Sequence, residues 1–323
     1  MATPALTRPP QPQRSALARA WRFVNRDRVL ALIVLAPSLL LVAIFIYGFI
    51  AWTSLVAFLE WNLPNTPVSI AGPYNGIDNW QWLFELPRWY KDIRNMVIFT
   101  VLFLAECMIL GFLIAAFLDQ QVKGEGFFRT IYIMPFAISA VVTGVVWQWM
   151  MHQTNGFNRL IDILGFNHIL GLFGLGPFEW LWMSDQNIGM VAISFAASWQ
   201  MVGYTMALYF AGIRGISQDL REAAQIDGAG TIALYLNIII PLVRPVSLTA
   251  FIILFGLALR LFDLVAAIGG SGINFSTDTF AYHMVQLAFQ DLRFARGAVI
   301  AVIMVLLSAI VVVPYLWSIR REV

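Results

Sequence analysis

Charge is scarce in this chain. Only 12% of its 323 residues are charged, and the formal net charge at pH 7 is +2. A soluble domain carries about 25% charged residues, so little of this surface is built to face water. The small net charge also leaves no electrostatic footprint for nucleic acid. The single cysteine, Cys107, excludes an internal disulfide, and its apolar neighbours suit a small buried side chain. His152, His168 and His283 show no ligand spacing, so no metal site is expected. No G-x-x-x-x-G-K-[ST] is present, and neither Lys91 nor Lys123 follows a glycine loop. The chain therefore lacks a P-loop for ATP. No catalytic constellation is visible either. Residues 1–28 are rich in Pro and Arg without an apolar core, unlike a cleavable signal peptide.

Apolar residues are abundant: 60% of the chain, with a mean hydropathy of +0.76. At about 20 residues per span, the length allows roughly six to eight membrane helices and no large soluble domain. The hydropathy pattern predicts an all-α membrane protein with six spans: 29–51 (extending towards Leu59), 95–118, 130–151, 188–213, 246–268 and 297–317. Pro37 is expected to kink the first span, and Pro135 lies in the third. The implied organisation is a basic tail over 1–28, whose only helical stretch is Ala16–Val24. A first span and its loop over 29–94 follow, then a core over 95–317 and a short C-terminus over 318–323. The loop over 60–94 contains Pro64, Pro67 and Pro73, and its Trp61, Trp80, Trp82 and Trp89 are read as interfacial aromatics.

Positive charges set the orientation. With the N-terminus inside, the inner segments hold Arg8, Arg14, Arg19, Arg22, Arg26, Arg28, Lys123, Arg129, Arg214, Arg221, Arg244, Arg320 and Arg321. The outer segments hold only Arg88, Lys91, Arg94, Arg159, Arg293 and Arg296. This asymmetry places both termini, and the segment 222–245, in the cytoplasm.

That segment reads EAAQIDGAGTIALYLNIIIPLVRP, a polar, Gly-containing stretch between two apolar runs. Leu220, Ala223 and Ala224 have helical spacing, predicting a short helix over 218–227 stopped by Gly228. A second helix is expected to run towards Pro241, which kinks or ends it. The pattern EAA, three residues, Gly, nine residues, then Ile-x-Ile-Pro resembles the cytoplasmic loop of permease subunits of binding-protein-dependent ABC importers. Ile240 stands where that family has Leu. The resemblance extends from about Asn95 onwards and includes Met134–Ile161 and Trp199–Glu222. Phe262-Asp263 with Gly269–Thr279 resembles the carbohydrate-importing branch that includes maltose and glycerol-phosphate permeases. There the patch reads T-x-G-G-P, and this chain has Gly269, Ser271 and Ile273 at the Thr, one Gly and the Pro. That departure leaves the solute open.

The resemblance implies a type I ABC importer permease fold in which the first span and tail pack outside a five-span core. It implies a second homologous permease subunit, an ATPase subunit dimer holding the ATP and Mg, and an extracytoplasmic solute-binding protein. The location would be a bacterial plasma membrane, with no cofactor in this chain. Glu222, Ala223, Ala224, Asp227, Gly228, Ala229 and Pro241 would form the ATPase-coupling elbow, Glu222 making the charged contact. The outer loops, including Gly269–Thr279, would receive the binding protein.

Ionisable residues inside spans cost about 2.5–3.5 kcal/mol each on the insertion scale, so they face partners or water. Glu106, Arg260 and Asp263 are of this kind. Two readings stand. In one, Arg260 pairs with Asp263, three residues on along one helix, or with Glu106 across two helices. In the other, Arg260 borders the solute pathway and meets a phosphate, sulfonate or carboxylate. Trp147, Met151, Trp199, Gln200, Tyr204, Leu257 and Leu261 are the further pathway candidates, since sugar sites combine aromatic faces with a few placed polar groups. Helix packing and an interfacial belt are the bland account of the same aromatics. A secondary transporter driven by protons or sodium through the three intramembrane charges is the alternative, although no inverted repeat is found. An ABC permease for amino acids, polyamines or oxyanions is the nearer rival.

Overall fold

The computed structural model describes residues 27–61, 73–120, 122–174, 176 and 180–322, with side chains from Leu30 to Trp317. The basic tail through Arg26, the helical stretch at 16–24, and Pro64 and Pro67 lie outside the described residues. Among the described residues the regular secondary structure is helical apart from one isolated bridge between Leu59 and Tyr74.

Two compact units divide at Thr53 and Ser54. The first unit is the apolar span: α1 (Asp27–Val42), a π-helical turn (Ala43–Gly48) and the start of α2 (Phe49–Val56). The departure from α geometry falls at Ala43–Gly48, beyond the α-helix that contains Pro37. From Leu30 to Ala51 this span's side chains are exposed.

The second unit is built on α3 (Asp78–Glu85) and α4 (Pro87–Asp119). At 33 residues α4 is about 50 Å long, so it outreaches a hydrocarbon core of about 30 Å. It starts eight residues before Asn95, the expected boundary, because Pro87 occupies its first turn, where a missing N–H costs nothing. Trp89 is consequently core, not an interfacial aromatic: it is 2% exposed and stacks on Phe280 at 4.8 Å. Trp61 and Trp82 are half-buried. Trp61 meets Phe294, and Trp82 lies under the Arg296 guanidinium.

The third span is not one helix. It consists of α5 (Glu125–Ile133), a 3-10 turn (Met134–Ala137) containing Pro135, and α6 (Ala140–Met150), bent by 98°. The short α7 (Gly156–Ile163) and α8 (Phe166–Leu172) follow. They are anchored by buried Asn158, which donates to the carbonyls of Gln153 and Trp180 and accepts from Trp182. The fourth span, α9 (Gly189–Arg214), matches its expected bounds and packs along α4. Small residues on its buried face (Ala192, Ser194, Ala196, Ala197 and Ser198) permit that approach. Gly203 carries the closest contact, since a Cβ there would sit 1.8 Å from the Tyr132 carbonyl oxygen. The bent third span can lie against α9 only because position 203 has no side chain.

After α10 (Gln218–Ile226) come α11 (Thr231–Leu234), a π-helical turn (Tyr235–Ile239) and α12 (Ile240–Leu242). A 64° bend leads into α13 (Arg244–Leu259). The fifth span also breaks. It ends at Leu259 and resumes as α14 (Asp263–Ile268), which packs on α6. A Gly-rich loop leads to α15 (Phe280–Val285), a π-helical turn (Gln286–Gln290) and the final span, α16 (Phe294–Glu322).

Candidate functional site: the elbow and the broken spans

The elbow closes by a Schellman motif. Gly228 takes φ +82°, its N–H donates to Gln225, and the Ala229 N–H donates to Ala224. Those are the two bonds that satisfy a helix's last carbonyls when a glycine follows in the left-handed region. Ala224 is buried and Ala229 packs beside it, in a cluster with Leu118, Met206, Tyr209, Ile213, Leu234, Ile239 and Val243. Arg221 reaches back to hold Asp119 Oδ2 at 2.7 Å and the Ile213 carbonyl at 2.6 Å, tying the elbow to the ends of α4 and α9. The Tyr235 hydroxyl lies 2.9 Å from the same Asp119 oxygen and 3.0 Å from the Ala116 carbonyl. Arg214 pairs with Glu125 at 2.6 Å.

The opposite face of the elbow is open. Glu222, Ala223, Asp227 and Gly228 are exposed, while Pro241 is half-buried at the end of the second elbow helix. Ile226 and Ile232 are 87% and 76% exposed. Apolar side chains presented this fully beside a carboxylate suit contact with another protein. Of the seven elbow residues, only Ala224 and Ala229 serve the interior; the others face out or turn the chain.

The two broken spans meet at a cavity of about 230 Å³ lined by Phe99, Phe103, Phe136, Gln200, Leu257, Arg260, Leu261, Phe262 and Asp263, among others. Non-helical backbone at membrane depth is tolerated where protein or a water-filled cavity satisfies it. Both breaks are satisfied by side chains. Gln200 Nε2 donates to the Ile138 carbonyl at 2.6 Å, and Thr279 Oγ1 donates to the Leu261 carbonyl at 2.8 Å. A larger groove of about 680 Å³ lies beside Phe112, Tyr209 and Tyr235, but its lining is almost wholly apolar and offers little to a polyhydroxylated solute.

Of the two readings of the intramembrane charges, the structure does not form the ion pair. Because the helix stops at Leu259, Arg260 and Asp263 lie on either side of a break and do not share a helical face. Among the described residues neither they nor Glu106 form an ion pair. Arg260 Nε bonds the Gly256 carbonyl at 3.2 Å, and both charged groups line the cavity. Glu106 Oε2 is buried without a hydrogen-bond partner.

Gln200, Leu257, Arg260 and Leu261 thus come together at one cavity. Tyr204 stacks on Phe136, a wall residue, at 5.1 Å. Trp147 and Met151 are buried and do not line it; Trp147 packs edge-on against Trp199 at 5.9 Å. The Gly-rich patch is mostly interior. Ser276, Thr277, Asp278 and Thr279 are fully buried, while Gly269, Ile273 and Asn274 are exposed. Asp263 was among the intramembrane charges singled out in the sequence, but the four Phe side chains were not foreseen as cavity walls, because a break inside an apolar run leaves no periodicity signal.

Residues 108–321 match the family described as binding-protein-dependent transport system inner membrane component. The chain belongs to that family. Among its relatives, this permease is 36% identical to a probable ABC transporter permease protein of Pyrococcus horikoshii, covering 90% of this chain and 96% of that one. It is 31% identical to a xylose/arabinose import permease protein of Haloferax volcanii, covering 91% and 89%. It is 28% identical to an sn-glycerol-3-phosphate transport system permease protein of Agrobacterium fabrum, covering 87% and 91%. Its fold is that of a chain in a bacterial ABC transporter that imports the acidic polysaccharide alginate. The TM-score is 0.73 at 20% identity, over 94% of the permease and 99% of that chain.

Proposed function

We propose that this permease is one half of the transmembrane pathway of an ABC importer for a sugar or sugar derivative. The observation that carries the solute class is the cavity where two broken spans meet, with phenyl faces beside Gln200, Arg260 and Asp263. Aromatic planes and a few convergent polar groups are how a pyranose ring is held. The import proteins for xylose/arabinose and for glycerol phosphate, similar over most of their length, support the same class.

The elbow faces the cytoplasm in this reading, as the distribution of Arg and Lys requires. A separate ATPase dimer receives Glu222 and the exposed apolar edge, and a second permease completes the pathway. A solute-binding protein delivers the solute from outside; the structure of the alginate transporter in complex with an alginate pentasaccharide-bound periplasmic protein supports this partner. Closure of the ATPases moves the elbow, which Arg221 and Asp119 join rigidly to α4 and α9. The breaks in the third and fifth spans then shift around the cavity. Arg260 is the donor to solute hydroxyls or to an acidic group, and Gln200 holds the wall.

ATP-dependent uptake in proteoliposomes tests this. The complex would be offered neutral and anionic saccharides with its binding protein. Uptake that requires ATP and is lost in Glu222→Lys is expected. Uptake that follows an ion gradient without ATP overturns the reading.

A further inference from the structure

At the end of α4 remote from the elbow, three buried ionisable side chains from distant parts of the chain meet, with a half-buried arginine beside them. Arg88 and Asp92 stand one turn apart on α4 and meet Asp278 of the Gly-rich loop and His283 of α15. Arg88 Nε lies 2.5 Å from Asp278 Oδ2, and its Nη2 donates to Gln286 at 2.7 Å. His283 Nδ1 lies 2.5 Å from Asp92 Oδ2. Asp92 and Asp278 are 0% exposed and His283 1%. Asp278 Oδ1 accepts from the Thr279 N–H, while Asp92 Oδ1 is buried without a partner.

The charges do not balance as they stand. Two carboxylates with 0% exposure against one guanidinium leave one uncompensated negative charge in a buried site, which is costly. One cation must be added. A metal ion does not fit between the imidazole and Asp92. Ligand atoms sharing a metal at about 2.0–2.2 Å stand about 3 Å or more apart, whereas His283 Nδ1 and Asp92 Oδ2 are in the short contact of two atoms with a proton between them. A proton fits. We infer that this cluster holds one shared proton near neutral pH, and that the proton latches the Gly-rich loop to α4.

The electrostatics agree. Burial, then the neighbouring Asp92, pushes the Asp278 carboxyl up to about 7. Burial and Arg88 push the His283 imidazole down to about 4. Whether the proton resides on a carboxyl or on the imidazole, the cluster titrates as one unit. The other charged groups nearby do not replace the proton. Asp291 acts on His283 with the same sign as Asp278. Lys91 is turned to Asn274, Arg94 to Gln186 and Asn187, and Arg296 to the Trp82 ring. Asp78 and Glu85 of α3 are exposed.

The latch reaches the cavity through adjacent residues. Thr279, whose N–H is held by Asp278, holds the Leu261 carbonyl at the break of the fifth span. Asn95 secures the same loop by donating to the carbonyls of Phe275 and Asp278. When the loop opens, His283 returns to its ordinary value of about 6.5 and the carboxyls to about 4. The latched state holds its proton to higher pH than the open state. Latching therefore weakens as pH rises above neutral, where the open state no longer holds a proton.

Hydrogen–deuterium exchange on the assembled complex in nanodiscs, corrected for intrinsic rates, tests the latch at pH 6.5 and 8.5. Amides over 273–283 are expected to lose protection several-fold at the higher pH, while those over 190–210 do not change. Asp92→Asn removes the surplus charge and should abolish the pH response, and His283→Gln provides a second route should the first variant misfold. No pH response in the unaltered protein, or an unchanged response in both variants, overturns the inference. So does restoration of protection at pH 8.5 by micromolar zinc, which would make the cluster a metal site.

Discussion

Gln200 of α9 donates a 2.6 Å hydrogen bond to the carbonyl of Ile138, the group that the third span frees where it turns. One side chain thus stabilises a break in a neighbouring span and lines the cavity that the break creates. In Gln200→Ala the carbonyl loses its partner, at a cost of about 1–3 kcal/mol. A lowered thermal midpoint of the solubilised complex, together with weakened uptake, is the expected pair of results. Normal stability would mean that another group satisfies Ile138.

Gly228 is held at φ +82° by two hydrogen bonds at the helix end. Gly228→Ala forces a Cβ into the left-handed region and should cost about 1–2 kcal/mol locally. Gly228→Asn should cost less, since Asn tolerates that region. The ratio of solute imported to ATP hydrolysed is the sensitive readout, with Ala below Asn and Asn near the unaltered protein.

Arg221 links the elbow to α4 and α9, and its side chain is 16% exposed against 6% for Asp119. Arg221→Ala removes hydrogen bonds of the charged type, worth about 1.5–3 kcal/mol each. Exchange protection over 218–229 should fall while ATP hydrolysis continues and uptake drops. Loss of both activities together would argue that Arg221 only maintains the fold.

Gly203 approaches the Tyr132 carbonyl so closely that a Cβ would lie 1.8 Å away. Backbone cannot yield as a flexible side chain does, so Gly203→Ala should exceed the usual overpacking cost of about 1–3 kcal/mol. The variant should fail to give a monodisperse peak on size-exclusion chromatography. Gly256→Ala, where no atom lies within 4 Å of the added Cβ, is the matched control.

The elbow was legible because its determinants are local. A helical run ending in Ile226, a glycine at 228 and a proline at 241 specify a helix, a left-handed turn and a second helix without reference to the rest of the chain. The fourth span was legible for a similar reason, as 26 residues of unbroken helix. Arg260 and Asp263 show the limit. Spaced three apart in an apolar run, they resemble an intrahelical pair, and only the contact from Thr279 to Leu261 reveals the break between them.

Amino-acid order alone determined that this chain spans a membrane several times, carries no P-loop motif and turns through a helix–glycine–helix elbow. Hydropathy, a missing motif and backbone preference all act over a few neighbouring residues. Tertiary structure decided where the third and fifth spans break, which polar groups face the resulting cavity, and that Asp92 meets His283 across 191 positions. A broken helix survives in an apolar medium only if distant side chains satisfy its carbonyls. A buried charge likewise persists only if a distant partner or a proton neutralises it, and neither condition can be read from a window of sequence.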